Sequence, residues 1–486
     1  MRKIRIVQLA LIAFGLLIWT HDPASAQTTI PNELSQATKA CLECHAASSH
    51  GIYQEWGTSK HYRANVGCYE CHQAQTGDKD AFKHDDYLIS IIVSPKDCAR
   101  CHAREVAQFE ESHHAKAGLI LGSLDNFLAD IVEGDRAFYG ESALTVSGCK
   151  QCHGGEVKIN PDGSLSPTGW PNTGMGRLNP DGSIGACTAC HQRHAFSAEQ
   201  ARRPEACGKC HLGPDHPQKE IYEESKHGIA YEAHRDDLNM DDAKWVLGED
   251  YTAAPTCATC HMSAVRTSDG SFLPITHDVG TRISLNNRPE LSIRPEVSDQ
   301  KLGLTKMASV TWDKRRAEMQ KVCTVCHTPG YVGNFYEQYD GVVNLYNRKF
   351  AEPGVNFMTV LRKHKLITDM PFDETVEWTW WEIWHHEGRR ARHGVSMFAP
   401  DYTHWHGLYE VGKHFYTKFI PELRAIVKEN LRVKDKAKIA GAKVLDAALR
   451  ALLAKPEHSW YTGNLPAEEN ARRKREQEEF KKRYIK

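Results

Sequence analysis

Sixteen cysteines constrain what this 486-residue chain can fold into, because every one falls in a Cys-x-x-Cys-His unit and none is left over. The units are Cys41-Cys44-His45, Cys68-Cys71-His72, Cys98-Cys101-His102, Cys149-Cys152-His153, Cys187-Cys190-His191, Cys207-Cys210-His211, Cys257-Cys260-His261 and Cys323-Cys326-His327. Random placement of 16 cysteines and 27 histidines gives about 0.03 such units in a chain of this length. Two thiols three positions apart lie on one side of a helical turn. There both add to the vinyl groups of one haem, and the adjoining histidine offers its imidazole to the iron as proximal ligand. A zinc ribbon needs no histidine after each pair, and a disulfide scaffold needs no such spacing. The sequence predicts eight covalently bound c-type haems.

The units begin 20 to 66 residues apart, about one per 36 residues between Cys41 and His327. Porphyrins at that density lie close enough for electrons to hop between them, and the uneven spacing rules out a solenoid. The expected fold is mainly α. Short helices and loops wrap eight haems over residues 27–335, and a long-helix C-terminal part follows over 336–486.

Charge is balanced, with 61 Lys plus Arg against 62 Asp plus Glu, so no basic surplus points to nucleic acid. Arg2, Lys3 and Arg5 precede a mostly apolar stretch over residues 6–19, and Ala24-Ser25-Ala26 offers a small-residue cleavage site. Residues 1–26 therefore read as a signal peptide, which places the protein in the periplasm or an equivalent extracytoplasmic compartment. The apolar run is shorter than the ~20 residues of a membrane span, and none is expected in the mature chain.

A low-spin electron-transfer haem needs a second axial ligand, usually histidine in this setting. Eight of the 27 histidines are proximal, which leaves 19. Local context selects His61 in Ser-Lys-His, His113 or His114 after the third unit, and His194 three residues after His191. It also selects His216 in Gly-Pro-Asp-His-Pro, His227 in Ser-Lys-His-Gly, His393 in Ala-Arg-His-Gly and His406 in Trp-His-Gly. His404, His385 and His386 are the substitutes. Seven distal ligands for eight haems leave one iron open to substrate, which points to an enzyme rather than a wire.

The order of the units and several further motifs resemble the octahaem hydroxylamine oxidoreductases, including hydrazine dehydrogenases. These motifs are Gly213-Pro214-Asp215-His216-Pro217, Glu223-Glu224-Ser225-Lys226-His227-Gly228, Cys257-Ala258-Thr259-Cys260-His261-Met262 and Thr276-His277-Asp278-Val279-Gly280. Trp384-His385-His386-Glu387-Gly388-Arg389-Arg390 and Asp401-Tyr402-Thr403-His404-Trp405-His406-Gly407 complete the set. The resemblance covers nearly the whole mature chain, which is shorter than the better-known members between Cys323 and Tyr402.

The resemblance implies that the fourth haem, on Cys149, Cys152 and His153, is catalytic and lacks a distal protein ligand. It also implies a tyrosine cross-link to that porphyrin from a neighbouring subunit of a homotrimer. Tyr402 is the matching position, with Tyr409 and Tyr416 as alternatives. A distal-pocket histidine and carboxylate fall on His277 and Asp278, a pair suited to accept protons, although His277 can also be read as a haem ligand. Tyr331, Tyr336 or Tyr339 would stand nearby.

From about residue 371 to 453 tryptophans crowd and apolar residues recur at helical spacing, so long helices with an apolar stripe are expected, as core or trimer interface. The charged tail over 467–486 reads as a solvated helix. The implied activity is oxidation of hydroxylamine to nitric oxide or nitrite, with hydrazine as the alternative substrate and a soluble c-type cytochrome as electron acceptor. A nitrite or hydroxylamine reductase and a non-catalytic multihaem carrier are the competing classes. Histidine in all eight units argues against the reductases that carry Cys-x-x-Cys-Lys at the active haem.

Overall fold

The computed structural model describes residues 31–283 and 295–485; the signal-peptide reading of residues 1–26 lies outside them. The described chain is mainly helical, and short helices carry the Cys-x-x-Cys-His units. Helix α1 (Gln36–Ser48) holds the first unit, α2 (Cys68–His72) is the second, and α3 (Pro95–Glu110) contains the third. Capping residues place these helix starts. Ser35 accepts the Thr38 amide ahead of α1, and Ser94 with Asp97 forms a reciprocal capping box ahead of α3. Starting the helix just before the first cysteine puts both thiols and the histidine on one turn.

Helix α4 (Leu124–Glu133) precedes the fourth unit, which runs from a π-helical stretch, Thr145–Cys149, into a single turn, Lys150–His153. Helix α5 (Cys257–His261) is the seventh unit, and α6 (Trp312–Cys323) delivers the eighth. Strands are few. β1 (Phe82–His84) pairs antiparallel with β2 (Tyr87–Ile89), with Phe82 opposite Ile89 and His84 opposite Tyr87. β3 (Val246–Leu247) pairs parallel with β4 (Ala264–Arg266), which pairs antiparallel with β5 (Phe272–Leu273). This small sheet sits on an apolar core of Trp245, Leu247, Val265, Met319 and Val322.

The C-terminal part is a bundle of longer helices: α7 (Pro329–Tyr346), α8 (Glu352–Lys363), α9 (Thr375–Trp381), α10 (Gly388–Val395), α11 (Glu410–His414), α12 (Ile420–Asn430) and α13 (Lys436–Leu453). Leu361, Phe415, Phe419, Leu423 and Leu445 have no exposed surface and form its centre. The helical spacing of these residues in the sequence buries one face of each helix against the others. Helix α14 (Ala467–Tyr484) follows with no buried residue, so the charged tail is a solvated helix. Among the described residues no helix is long and apolar enough to cross a membrane.

Wide π-helical turns interrupt this bundle at Asn347–Ala351, Glu382–Glu387, Asp401–Tyr409 and Phe415–Phe419. Helix α10 packs closely on the third of them. A side chain at Gly407 would place its Cβ 2.7 Å from the Ala391 Cα of α10, and one at Gly394 would come within 2.5 Å of the Thr403 amide. The Tyr402 segment is thus seated directly on α10.

Inside the bundle, fully buried His458 is hydrogen-bonded through Nδ1 to Tyr416 Oη at 2.7 Å. Burial pushes its pKa down to about 4. The unfolded chain, with histidine near ~6.5, binds this proton more readily than the folded one. The stability due to neutral His458 is therefore complete above about pH 6.5 and lost as pH falls toward 4. Thermal unfolding of His458→Gln should vary less with pH across that window than that of the parent protein; equal slopes would contradict this.

Candidate functional site

Among the proximal histidines, three are anchored by their outer ring nitrogens. His72 Nδ1 meets the Ser90 carbonyl at 2.8 Å, His153 Nδ1 the Ala117 carbonyl at 3.2 Å, and His45 Nδ1 the Ser49 hydroxyl at 3.2 Å. This fixes the tautomer and leaves Nε2 to face a metal. None of the sixteen thiols is in a disulfide.

Second imidazoles stand opposite most of them. Ring centroids are 6.1 Å apart for His45 and His84, 6.2 Å for His102 and His61, 6.5 Å for His191 and His277, and 6.0 Å for His327 and His227. An iron midway, with bonds of about 2 Å, holds two imidazole centroids about 6 Å apart. His211 has two such neighbours, His114 at 6.2 Å and His216 at 6.1 Å, of which only one can lie trans across an iron. His194 lies within electrostatic reach of His72. The pairs and the free thiols fit haem c.

The fourth unit has different surroundings. Its turn is wedged among glycines: Gly154 adopts φ +80°, and a Cβ there would meet the Arg177 amide at 2.3 Å. Burial lowers the pKa of His153; the Ala117 carbonyl opposes this, His216 adds to it, and Asp125 and Asp215 raise it. Those two carboxylates each hold a histidine. Asp215 pairs with His216 Nδ1, and Asp125 lies 2.8 Å from Nε2 of His385, which is buried with its ring stacked 4.0 Å from Trp381. Burial alone would raise Asp215, but His216, His385 and Arg389 hold it at about 2. Arg389 Nη1 is 3.3 Å from Asp215 Oδ2.

The remaining candidates take varied places. His277 lies at the fifth unit opposite His191, and its amide donates to Gln108 Oε1 at 2.9 Å. Asp278 caps the turn Val279–Arg282 by accepting the Gly280 amide at 2.9 Å. His113 is ion-paired with buried Asp299, so His114 is the member of that pair turned toward His211. Desolvation pushes His393 down to about 3, with Arg392, Arg389, His216 and His211 near it. His406 is exposed, with its ring centroid 5.6 Å from Tyr402 and with Asp401 and Glu410 at 3.4 and 3.5 Å. His404 is exposed beside Trp405. His386 lies among residues whose burial lowers its pKa.

Tyr402 is partly exposed, and its amide donates to Glu224 Oε1 at 3.3 Å. On the same segment Tyr409 is 52% and Trp405 56% exposed, while Tyr416 is buried beside His458. Tyr331 stacks 4.6 Å from His327, and Tyr336 and Tyr339 are buried in the bundle. Two histidines outside the primary candidates emerge. His84, at the end of β1, was missed altogether and has no glycine or Ser-Lys context to mark it. His385 stood only as a substitute ligand.

Paired imidazoles beside motif-spaced free thiols define a multihaem c-type cytochrome with covalently bound haem c. Residues 181–354 match the family described as seven times multi-haem cytochrome CxxCH, and residues 19–73 match cytochrome c554 and c-prime. A probable nitrite reductase-hydroxylamine oxidoreductase fusion protein of Kuenenia stuttgartiensis is 29% identical over 339 residues, or 62% of this chain. The chain spans 35% of that relative's length.

A solved structure titled hypothetical multiheme protein superimposes with a TM-score of 0.69 at 28% identity, covering 82% of this chain and 97% of that one. A reducing HAO-like protein complex of Kuenenia stuttgartiensis shares the fold at a TM-score of 0.53 and 19% identity, covering 86% of this chain and 87% of that one. The chain is a multihaem c-type cytochrome similar to hydroxylamine oxidoreductase-like proteins. It is a haem oxidoreductase or electron carrier.

Proposed function

We propose that the chain is an extracytoplasmic octahaem enzyme that oxidises hydroxylamine at the fourth unit. The observation that carries this reading is the environment of His153, where two aspartate–histidine pairs stand instead of one facing imidazole. Seven haems then serve electron transfer. His84, His194, His61, His277 and His227 are the distal ligands of units one, two, three, five and eight. His114 and His393 share units six and seven: both lie near His211 of unit six, and His114 also lies near His261 of unit seven. In this reading His277 is a ligand rather than a base, Asp278 is a cap, and His406 supports Tyr402.

Cys149, Cys152 and His153 would hold the fourth haem, which would supply redox chemistry toward the substrate nitrogen. The chain's own residues handle protons. Each electron removed from hydroxylamine must be matched by a proton, and an imidazole with a pKa near neutrality is the suitable acceptor. Asp215 is ionised and fixes His216 through Nδ1, which leaves Nε2 free to accept. Arg389 holds Asp215 in turn. The His385–Asp125 pair gives a second proton acceptor on the same wall. Hydrazine fits the same machinery, and parallel steady-state assays on the two substrates separate them.

Tyr402 would reach the fourth haem of a neighbouring subunit in a homotrimer, with exposed Trp405 and Tyr409 supplying apolar contact on the same segment. The test is a reducing, denaturing gel stained for haem, with Tyr402→Phe beside the parent protein. A trimer-sized haem band that collapses to monomer in the variant is the expected result. A monomer band in the parent protein rejects the cross-link and moves the reading to reduction of nitrite or hydroxylamine. The name of the reducing HAO-like complex favours that second reading, whereas the name of the fusion protein carries both activities.

A further inference from the structure

Glu382 and Glu387 are five positions apart. On a regular α-helix they would diverge by about 140°, at about 100° per residue. They lie instead on the π-helical turn Glu382–Glu387, whose i to i+5 repeat sets them one turn apart on the same side. His414, at the end of α11, faces them. One ligand atom from each of the three lies within 4.8 Å of the others. They open on a cavity of about 260 Å³ that is also bounded by His386, Arg390 and Pro214.

The decisive member is Glu387. It is 2% exposed, its Oε1 pairs with His414 Nδ1, and its Oε2 is buried without a hydrogen-bond partner. A buried carboxylate oxygen left unpaired is costly, and the ordinary remedy is a cation. Neither nearby cation is hydrogen-bonded to this oxygen in the structure, although the buried Nε of Arg390 has no partner. Arg390 donates to Glu410 at 2.9 Å, and Lys418 lies 3.9 Å from Glu382. Two carboxylates and an imidazole are a donor set for a divalent first-row ion such as Zn²⁺, with bonds of about 2.0–2.2 Å. The Glu382 side chain is 48% exposed, so it can rotate inward to close the set.

We propose that Glu382, Glu387 and His414 form a divalent-cation site, separate from the haems, that takes Zn²⁺. The ion bridges the π-turn to α11 beside Pro214, the neighbour of Asp215. The site does not depend on which nitrogen compound is the substrate.

The test uses the haem-loaded protein, stripped with EDTA, equilibrated with Zn²⁺ and desalted. Zinc is counted by mass spectrometry against covalently held iron. The expected result is one zinc per chain, with a higher melting temperature than the stripped protein. Retention should fall at least tenfold in His414→Ala and Glu387→Gln, with haem content unchanged. Glu382→Gln, at the exposed side of the cavity, keeps the test decisive if a buried variant fails to fold, and it should lower retention too. Asp373→Asn, the exposed member of a separate acidic trio, should retain zinc like the parent. No retained zinc in the parent, or undiminished zinc in both Glu382→Gln and His414→Ala, overturns the proposal.

Discussion

His216→Ala is expected to slow hydroxylamine oxidation by about 10²–10⁴-fold, the usual loss when a positioned proton acceptor is removed. The expectation rests on the proposed role of His216 at the fourth unit. Its Nδ1 is taken by Asp215, and Arg389 lies behind that carboxylate, so the ring is oriented from the protein side. Asp215→Asn should lower the activity less and shift the pH profile. Without the negative charge the imidazole is a weaker base, so the acidic limb of the rate profile should move to lower pH. The measurement is steady-state oxidation from pH 5 to 9, with the low-spin haem signal followed by electron paramagnetic resonance. Because His216 also stands 6.1 Å from His211, the resonance spectrum decides its role. If His216→Ala loses one low-spin haem, the residue is an iron ligand and the base must be sought at His385. If rate and spectrum are both unchanged, the pocket assignment fails.

The haem-attachment framework was legible because it is local: two thiols and an imidazole within five residues need no tertiary information. Some of the facing imidazoles were legible for a related reason. In Ser59-Lys60-His61 and Ser225-Lys226-His227 the serine is a helix N-cap, accepting the amides of Tyr62 and Gly228, so each histidine is fixed on the first turn. A capping serine two residues ahead of a histidine is therefore a physical marker as well as a pattern. His84 and His277 had no such marker. The first is placed by a strand pair and the second by an irregular segment leading into a short turn, and their facing rings come from 39 and 86 residues away in sequence.

The pocket was harder still to read. Asp125 from α4 and the Asp215–His216 pair from a loop act electrostatically on His153, Asp125 in turn holds His385 from a π-turn, and no periodicity links those positions. The family resemblance placed the acid–base pair at His277 and Asp278, whereas the carboxylates near His153 are Asp125 and Asp215. The C-terminal bundle shows the opposite balance. Its helices were visible from apolar spacing, but its π-turns were not, because one inserted residue leaves the periodic stripe nearly intact.

Asp299→Asn is expected to lower stability by about 3–5 kcal/mol, the range for breaking a buried ion pair by removing one partner. Asp299 and Arg315 have no exposed surface, and His113 joins the same carboxylate. Arg315 also donates to the carbonyls of Val310 at 3.0 Å and Met307 at 2.9 Å, so its hydrogen bonds would partly survive while its charge would be stranded. Burial alone would raise the Asp299 pKa, but His113 and Arg315 together hold it below its ordinary value. The stability it contributes is therefore present above the ordinary carboxylate range and lost as pH falls through it. Denaturant unfolding of the haem-loaded protein, followed by far-ultraviolet circular dichroism at pH 7, measures the loss. Asp299→Leu combined with Arg315→Met should recover much of it, because no charge is then left buried. Recovery would show that the cost lies in the stranded guanidinium. Failure of the double variant would instead place it in the bridge to His113, whose neighbour His114 must keep its ring toward His211. In that case Asp299→Asn should also shift the spectrum of a low-spin haem, which links the stability of this segment to the haem array it supports.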